Sequence, residues 1–140
     1  MGVLIILITP ILYERSKENN EISLKIERLI SDKNVTLIEA SALSSKDWDK
    51  LCVLGPYASG QGFERLTGFH WNVELYTSWD SEEFTLLTFI KGNKVLEFSE
   101  YPIMKASFIN GCKPRNKVLF KINRSRDKLN RDELVLINKS

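Results

Sequence analysis

The sequence predicts an α+β domain: an antiparallel sheet of about four to five strands, with one longer N-terminal helix and one short helix packed on it. Three observations carry that reading. Residues 21–33 repeat apolar positions at helical spacing, and residues 84–101 form two apolar runs around a Lys-Gly-Asn-Lys turn. Short apolar runs at 51–54 and 118–122 are punctuated by Gly and Pro. Helical and strand periods therefore alternate along one chain, and strands outnumber helices.

The chain opens on an apolar run at residues 3–13, VLIILITPILY, polar only at Thr9. As a helix it would extend about 16 Å, roughly half a bilayer core, which is short for a membrane span. The length suits the apolar region of a secretory signal. Residues 1–20 are accordingly read as an export-signal or anchor-like segment ahead of a single domain at 21–140. No Lys or Arg precedes the run and no small-residue cleavage site follows it; for an export signal, a start upstream of Met1 would explain the missing basic residues. The alternative makes residues 2–9 the first buried strand of the fold, stopped by Pro10. It would give a strand-helix-strand order with the run at 35–38.

In the helix at 21–33, Ile22, Ile26, Leu29 and Ile30 share one face. Asn20 can cap its start, Asn34 can close its end, and Glu21 and Lys25 sit four apart in the favourable order. A polar, Ser-rich connection follows at 40–46. The strand at 51–54 ends at Gly55-Pro56, and Ser59 caps a short helix that carries Phe63 and Leu66 and stops at Gly68. Phe69-His70-Trp71 returns to extended chain. The hairpin comes next. Gly92-Asn93 suits a two-residue turn, and pairing Lys91 with Lys94 sets Ile90 opposite Val95, Phe89 opposite Leu96 and Leu87 opposite Phe98. Leu87, Phe89, Leu96 and Phe98 then form the core face, while the other face looks half covered. Asn110-Gly111 marks a turn, Val118, Phe120 and Ile122 point inward from a further strand, and 134–137 forms a last strand at the sheet edge.

Length and composition fit one ordered domain: 140 residues, 43% apolar and 27% charged. The net charge of +2 is unevenly spread. Residues 1–104 hold ten Lys/Arg against fifteen Asp/Glu, and residues 105–140 hold ten against three. The basic stretch Lys113, Arg115, Lys117, Lys121, Arg124, Arg126, Lys128 and Arg131 is the best anion-facing candidate. Only Phe120 interrupts it, so it lacks the interleaved aromatics of a nucleic-acid module. Cys52 and Cys112 are too few for a disulfide scaffold. They stay open between buried free thiols and one disulfide, which an oxidising compartment would allow.

Reaction chemistry is sparsely signalled. His70 is the sole histidine and sits between aromatics, without a nucleophile at recognisable spacing. Asp47 and Asp49 flank Trp48, and paired carboxylates can do acid–base work when a fold brings them together. Surface or capping roles suit them better. Gly60, Gly62 and Gly68 lack phosphate-loop spacing, and no residue set has the spacing of a metal site, so neither cofactor nor metal is expected. Aromatics concentrate between residues 48 and 79, where an exposed subset could anchor a partner.

The run Asp47-Trp48-Asp49-Lys50-Leu51-Cys52-Val53-Leu54-Gly55-Pro56-Tyr57, then Leu66-Thr67-Gly68-Phe69-His70-Trp71, then the hairpin from Leu86 to Val95, resembles a group of small, uncharacterised bacterial envelope proteins. The likeness covers roughly residues 47–102. It implies an exported, periplasmic or envelope location, with a cytoplasmic one as the alternative. No lipobox cysteine is present, which departs from lipid-anchored members, and the group lends no reaction.

The function expected is a non-enzymatic domain that binds another protein, as an inhibitor or immunity factor does. Trp48, Tyr57, Trp79, Arg115, Arg124, Arg126, Lys128 and Arg131 are the candidate contact residues, and Cys52 and Cys112 the candidate disulfide. Membrane contact would run only through residues 3–13. The alternatives are an anion or nucleic-acid binder using residues 113–131 and an enzyme using Asp47 and Asp49.

Overall fold

The computed structural model describes residues 17–78, 80–124 and 131–138. The apolar run at 3–13, with its two readings, lies outside the described residues, as do Trp79, Arg126 and Lys128. The elements in order are β1 (Lys17–Glu18), α1 (Asn20–Ser31), β2 (Leu37–Glu39), β3 (Lys50–Leu54), α2 (Gly60–Thr67) and α3 (Val73–Tyr76). Six further strands follow: β4 (Phe84–Lys91), β5 (Lys94–Pro102), β6 (Ala106–Phe108), β7 (Gly111–Pro114), β8 (Val118–Asn123) and β9 (Asp132–Asn138).

The fold is α+β. Its strands form two sheets, one of five in the order β1-β5-β4-β3-β7 and one of four in the order β2-β8-β9-β6. The second sheet, and the parallel pairings of β1 with β5 and β6 with β9, go beyond the single antiparallel sheet expected. β9 is not an edge strand, because β6 pairs along its other side.

Both faces of the five-stranded sheet are covered, which explains the unbroken burial from Thr85 to Ile90 along β4. One face carries Leu51, Val53, Leu87, Phe89 and Tyr101 against Ile22 and Ile26 of α1 and Val118, Phe120, Ile122 and Leu134 of the second sheet. The other carries Cys52, Leu54, Leu86, Ile90, Val95 and Phe98 against Phe63, Phe69, Trp71 and Val73. Neither face is half covered.

The hairpin keeps the expected pairs at its turn, Lys91 with Lys94 and Ile90 with Val95. A bulge then adds one residue, Leu96, to β5, so that Phe89 faces Glu97 and Thr88 faces Phe98. That corrects the expected core face: Leu87, Phe89 and the partly buried Leu96 stay on the α1 side, while Phe98 crosses to the α2 side. The same shift turns Glu97 and Ser99 inward. Glu97 is only 4% exposed. Its carboxylate accepts hydrogen bonds from the Ser44 hydroxyl and, at 3.1 Å, from Asn19 Nδ2. Ser99 is bonded to Ser23 of α1.

Helix ends follow local chemistry. Asn19, one residue earlier than expected, caps α1 by accepting the Glu21 N–H at 3.1 Å. Ser59 caps α2 through the Gly62 N–H at 3.0 Å, and Gly68, at φ 85°, ends it. After the extended chain at residues 69–71, residues 73–76 add the short helix α3, which the sequence reading did not assign.

Cys112 lies not in a loop but on β7, directly across from Cys52, with Cα atoms 4.1 Å apart and the two sulfurs bonded. Two measurements check this architecture. Phe89→Ala should lower unfolding free energy by about 3–5 kcal/mol in urea titration, since the ring is fully buried against Trp48. Thiol titration of denatured, unreduced protein should find neither Cys52 nor Cys112 free.

Candidate functional site

The sequence candidates separate into residues consumed by the fold and residues left at its surface. Trp48 belongs to the core rather than to an exposed patch. Its Nε1 donates to the Ser44 carbonyl at 3.2 Å, its ring meets Phe89 edge-on, and the Arg115 guanidinium lies 4.7 Å from its centroid. Arg115 also donates to the Lys46 and Trp48 carbonyls, at 2.8 and 3.1 Å.

Arg124 closes the C-terminal end of α1. Its Nη1 donates to Ile30 O at 2.6 Å and Asp132 Oδ2 at 2.9 Å, and its Nη2 to Asp32 O at 2.9 Å and Val35 O at 2.7 Å. A cation suits that end of a helix, where carbonyls lack intrahelical donors. The expected closing residue, Asn34, instead receives help from Asp32, whose side chain accepts the Asn34 N–H at 3.0 Å. Arg131 donates to Ile103 O. The described arginines of the basic stretch are thus bonded to carbonyls in three separate parts of the fold.

Asp47 and Asp49 converge on the tip of the hairpin, not on a cleft. Asp47 is paired with Lys91, and Asp49 Oδ2 accepts the Gly92 N–H at 3.0 Å. The hydrogen bond from Lys91, and then its charge, hold the Asp47 carboxyl below the usual aspartate range. His70 is exposed, and Glu74 accepts the Gly60 N–H at 2.7 Å, a bond that holds the Glu74 carboxyl below the usual glutamate range. Among the described residues, no group of three His, Cys, Asp or Glu could hold a metal ion.

Among the described contact candidates, Tyr57 is the one that stays exposed. It is 56% exposed, its hydroxyl donates to Glu82 Oε2 at 2.9 Å, and its backbone has φ 61°. A bulky residue in the left-handed region is uncommon and costs of order 1–3 kcal/mol, so the surroundings must hold it there. The hydrogen bond to Glu82 pushes the phenol's pKa above its ordinary value, so the hydroxyl stays protonated and a donor at neutral pH. Tyr57 borders an open groove of about 450 Å³ whose lining includes Leu54, Pro56, Ser59, Arg65, Leu66 and Asn110. The strand end at Leu54, the turn at Asn110 and α2 supply its walls. Sequence reading assigned most of these to turns, caps and the short helix and passed over Arg65, a polar position of that helix with no motif around it.

No family model matches the chain, and neither a curated protein nor a solved structure matches it.

Two outcomes test these assignments. Arg124→Ala should lower stability by roughly 2–3 kcal/mol, because several charge-assisted bonds to carbonyls are lost together. In an NMR pH titration, the Asp47 carboxyl should titrate below the ordinary aspartate range, and Lys91→Ala should return it upward. A depressed folded-state pKa means that the pair contributes above the unfolded value. That contribution is lost as pH falls through the depressed value.

Proposed function

We propose that this chain is a non-enzymatic, protein-binding domain of the bacterial cell envelope, of inhibitor or immunity type, and that the groove beside Tyr57 is its contact face. The observation that carries the reading is Tyr57 itself. An exposed aromatic is held in an unfavourable backbone conformation at the rim of a concave surface, where its ring gives up contact with the core. Tyrosine and arginine are favoured anchors of protein interfaces, and Leu66 and Arg65 supply an apolar and a cationic neighbour. The Cys52–Cys112 bond supports an oxidising compartment, in which such bridges persist. The roles of Asp47 and Asp49 at the hairpin tip favour binding over carboxylate catalysis.

Affinity capture from envelope extracts of the source cells tests the proposal. Tyr57→Gly should weaken capture of the partner by about tenfold or more while leaving unfolding stability unchanged or raised by up to about 1 kcal/mol, because glycine relieves the left-handed strain. Arg65→Glu should weaken capture comparably. Leu37→Ala, at an exposed position on β2 of the other sheet, should not. A partner that tolerates both groove variants would move the contact face elsewhere.

A further inference from the structure

The disulfide joins the two strands that lead into the groove. Cys52 is two residues before Leu54 on β3, and Cys112 is two residues after Asn110, so the bond ties together the strands that carry two groove walls. Cys112 Sγ also lies 4.0 Å from the carbonyl oxygen of Leu66, on the third wall. The strand it secures is weakly held otherwise. β7 is the edge of the five-stranded sheet, spans Gly111–Pro114, and is paired through four residue positions with β3 alone. Its last residue is a proline, which has no N–H to give the ladder.

The flanks of β7 are better anchored. Ile109 N donates to Leu134 O at 3.1 Å, and Arg115 N donates to Asp49 O at 2.8 Å, next to the Arg115 side-chain bonds already described. An opened bridge would therefore loosen a bounded segment between two fixed points. The cores on β3, β4 and β5 would keep their packing. The two sulfurs also differ in access. Cys52 is 0% exposed, whereas Cys112 on the edge strand is partly exposed.

We infer that the Cys52–Cys112 bond is a thiol-responsive brace, opened by a dithiol reductant that attacks at Cys112, and that its opening slackens the groove. The consequence for binding rests on the groove reading above; the structural response does not. In the first step a reductant thiolate attacks Cys112 Sγ, a mixed disulfide forms, and Cys52 leaves as a thiolate that takes up a proton. In the second, the other thiol of the reductant, as thiolate, attacks the reductant's own sulfur in that mixed disulfide. Cys112 is released as a thiolate and is protonated. The two thiol protons of the reductant balance those gained by the cysteines, and the reductant leaves oxidised to its disulfide.

The experiment treats the folded chain with dithiothreitol and follows amide exchange by NMR. Exchange at residues 110–113 should rise at least tenfold on reduction, while residues 86–90 change by less than twofold and the unfolding transition stays cooperative. Unchanged protection at 110–113 would overturn the brace, and loss of cooperative unfolding would show a staple for the whole domain instead. With oxidised glutathione added to reduced protein, peptide mapping should place the mixed disulfide on Cys112; its appearance on Cys52 would overturn the order of attack. The double variant Cys52→Ala, Cys112→Ala should reproduce the reduced exchange pattern, and the dithiothreitol measurement decides the matter where that variant does not fold. For the partner captured by the groove, reduction should weaken capture at least fivefold. Equal capture by both redox forms would remove the regulatory role and leave the groove standing, whereas no capture by either form would remove the groove reading and leave the brace.

Discussion

Two-sided burial of the β3-β4-β5 sheet is the constraint from which the rest of the structure follows. A sheet with one wet face can alternate apolar and polar residues, but here both faces are dry, and apolar side chains must point both ways. Two covers are then required. The second sheet and α1 supply one, and the aromatic-rich segment of α2 and α3 supplies the other, with Phe63 meeting Phe69 edge-on and Trp71 at a tilted angle. Polar groups trapped between the layers need partners, since an unpaired buried polar group costs about 1–3 kcal/mol. Thr88 donates to Cys52 O at 2.9 Å within the sheet. Glu97 and Ser99, turned inward by the bulge, bond instead to Ser44, Asn19 and Ser23. The bulge thus puts Glu97 and Ser99, rather than Phe98, on the face of β5 where α1 sits. Asn19 serves both ends of that arrangement, capping the helix with its oxygen and bonding Glu97 with its nitrogen.

The same constraint places the groove. Between the end of β3 and the start of α2 the chain must leave the sheet and double back to cover it. It does so through Gly55, where a Cβ would meet Thr85 Cα at 2.8 Å, so only glycine fits against β4. The return puts Tyr57 in the left-handed region and leaves α2 on top of the sheet, near β7. A concavity remains where helix, strand end and the turn before β7 fail to meet. The disulfide lies beside that junction and joins β7, the edge strand of the sheet, to β3.

Local chemistry was legible in the sequence wherever a few adjacent residues decided the outcome. Ser59 and Gly68 bound α2, Gly92-Asn93 sets the hairpin turn, and Val118, Phe120 and Ile122 point inward as alternation requires. Events decided by distant partners were not. Nothing in Val95-Leu96-Glu97-Phe98 signals an inserted residue, because that bulge is selected by burial on both sides of β5. The pairing of Cys112 with Cys52 spans 60 residues and depends on β7 joining β3. Division of the strands into two sheets likewise rests on β2 finding β8 and β6 finding β9, pairings that no local pattern encodes. Of the contact candidates, Tyr57 was legible as an aromatic after a glycine-proline turn, while the groove around it needed the placement of Asn110 and α2.

The charge asymmetry of the chain has a structural origin in part. Backbone carbonyls are orphaned wherever a helix ends or a strand turns, and an arginine with five donors can satisfy several at once. Arg124 does so for residues 30, 32 and 35, Arg115 for residues 46 and 48, and Arg131 for residue 103. The acceptors lie in the acidic part of the chain and the donors in the basic part, so the uneven charge joins the C-terminal strands to the elements that precede them. Neutralising a carbonyl requires no carboxylate, which is why residues 105–140 can hold ten Lys/Arg against three Asp/Glu without that many ion pairs. Such an excess, read from composition, suggests an acidic partner. At Arg115 and Arg124 the described geometry gives the guanidiniums to the fold, and it leaves Arg65, from the acidic part of the chain, as the cation lining the groove.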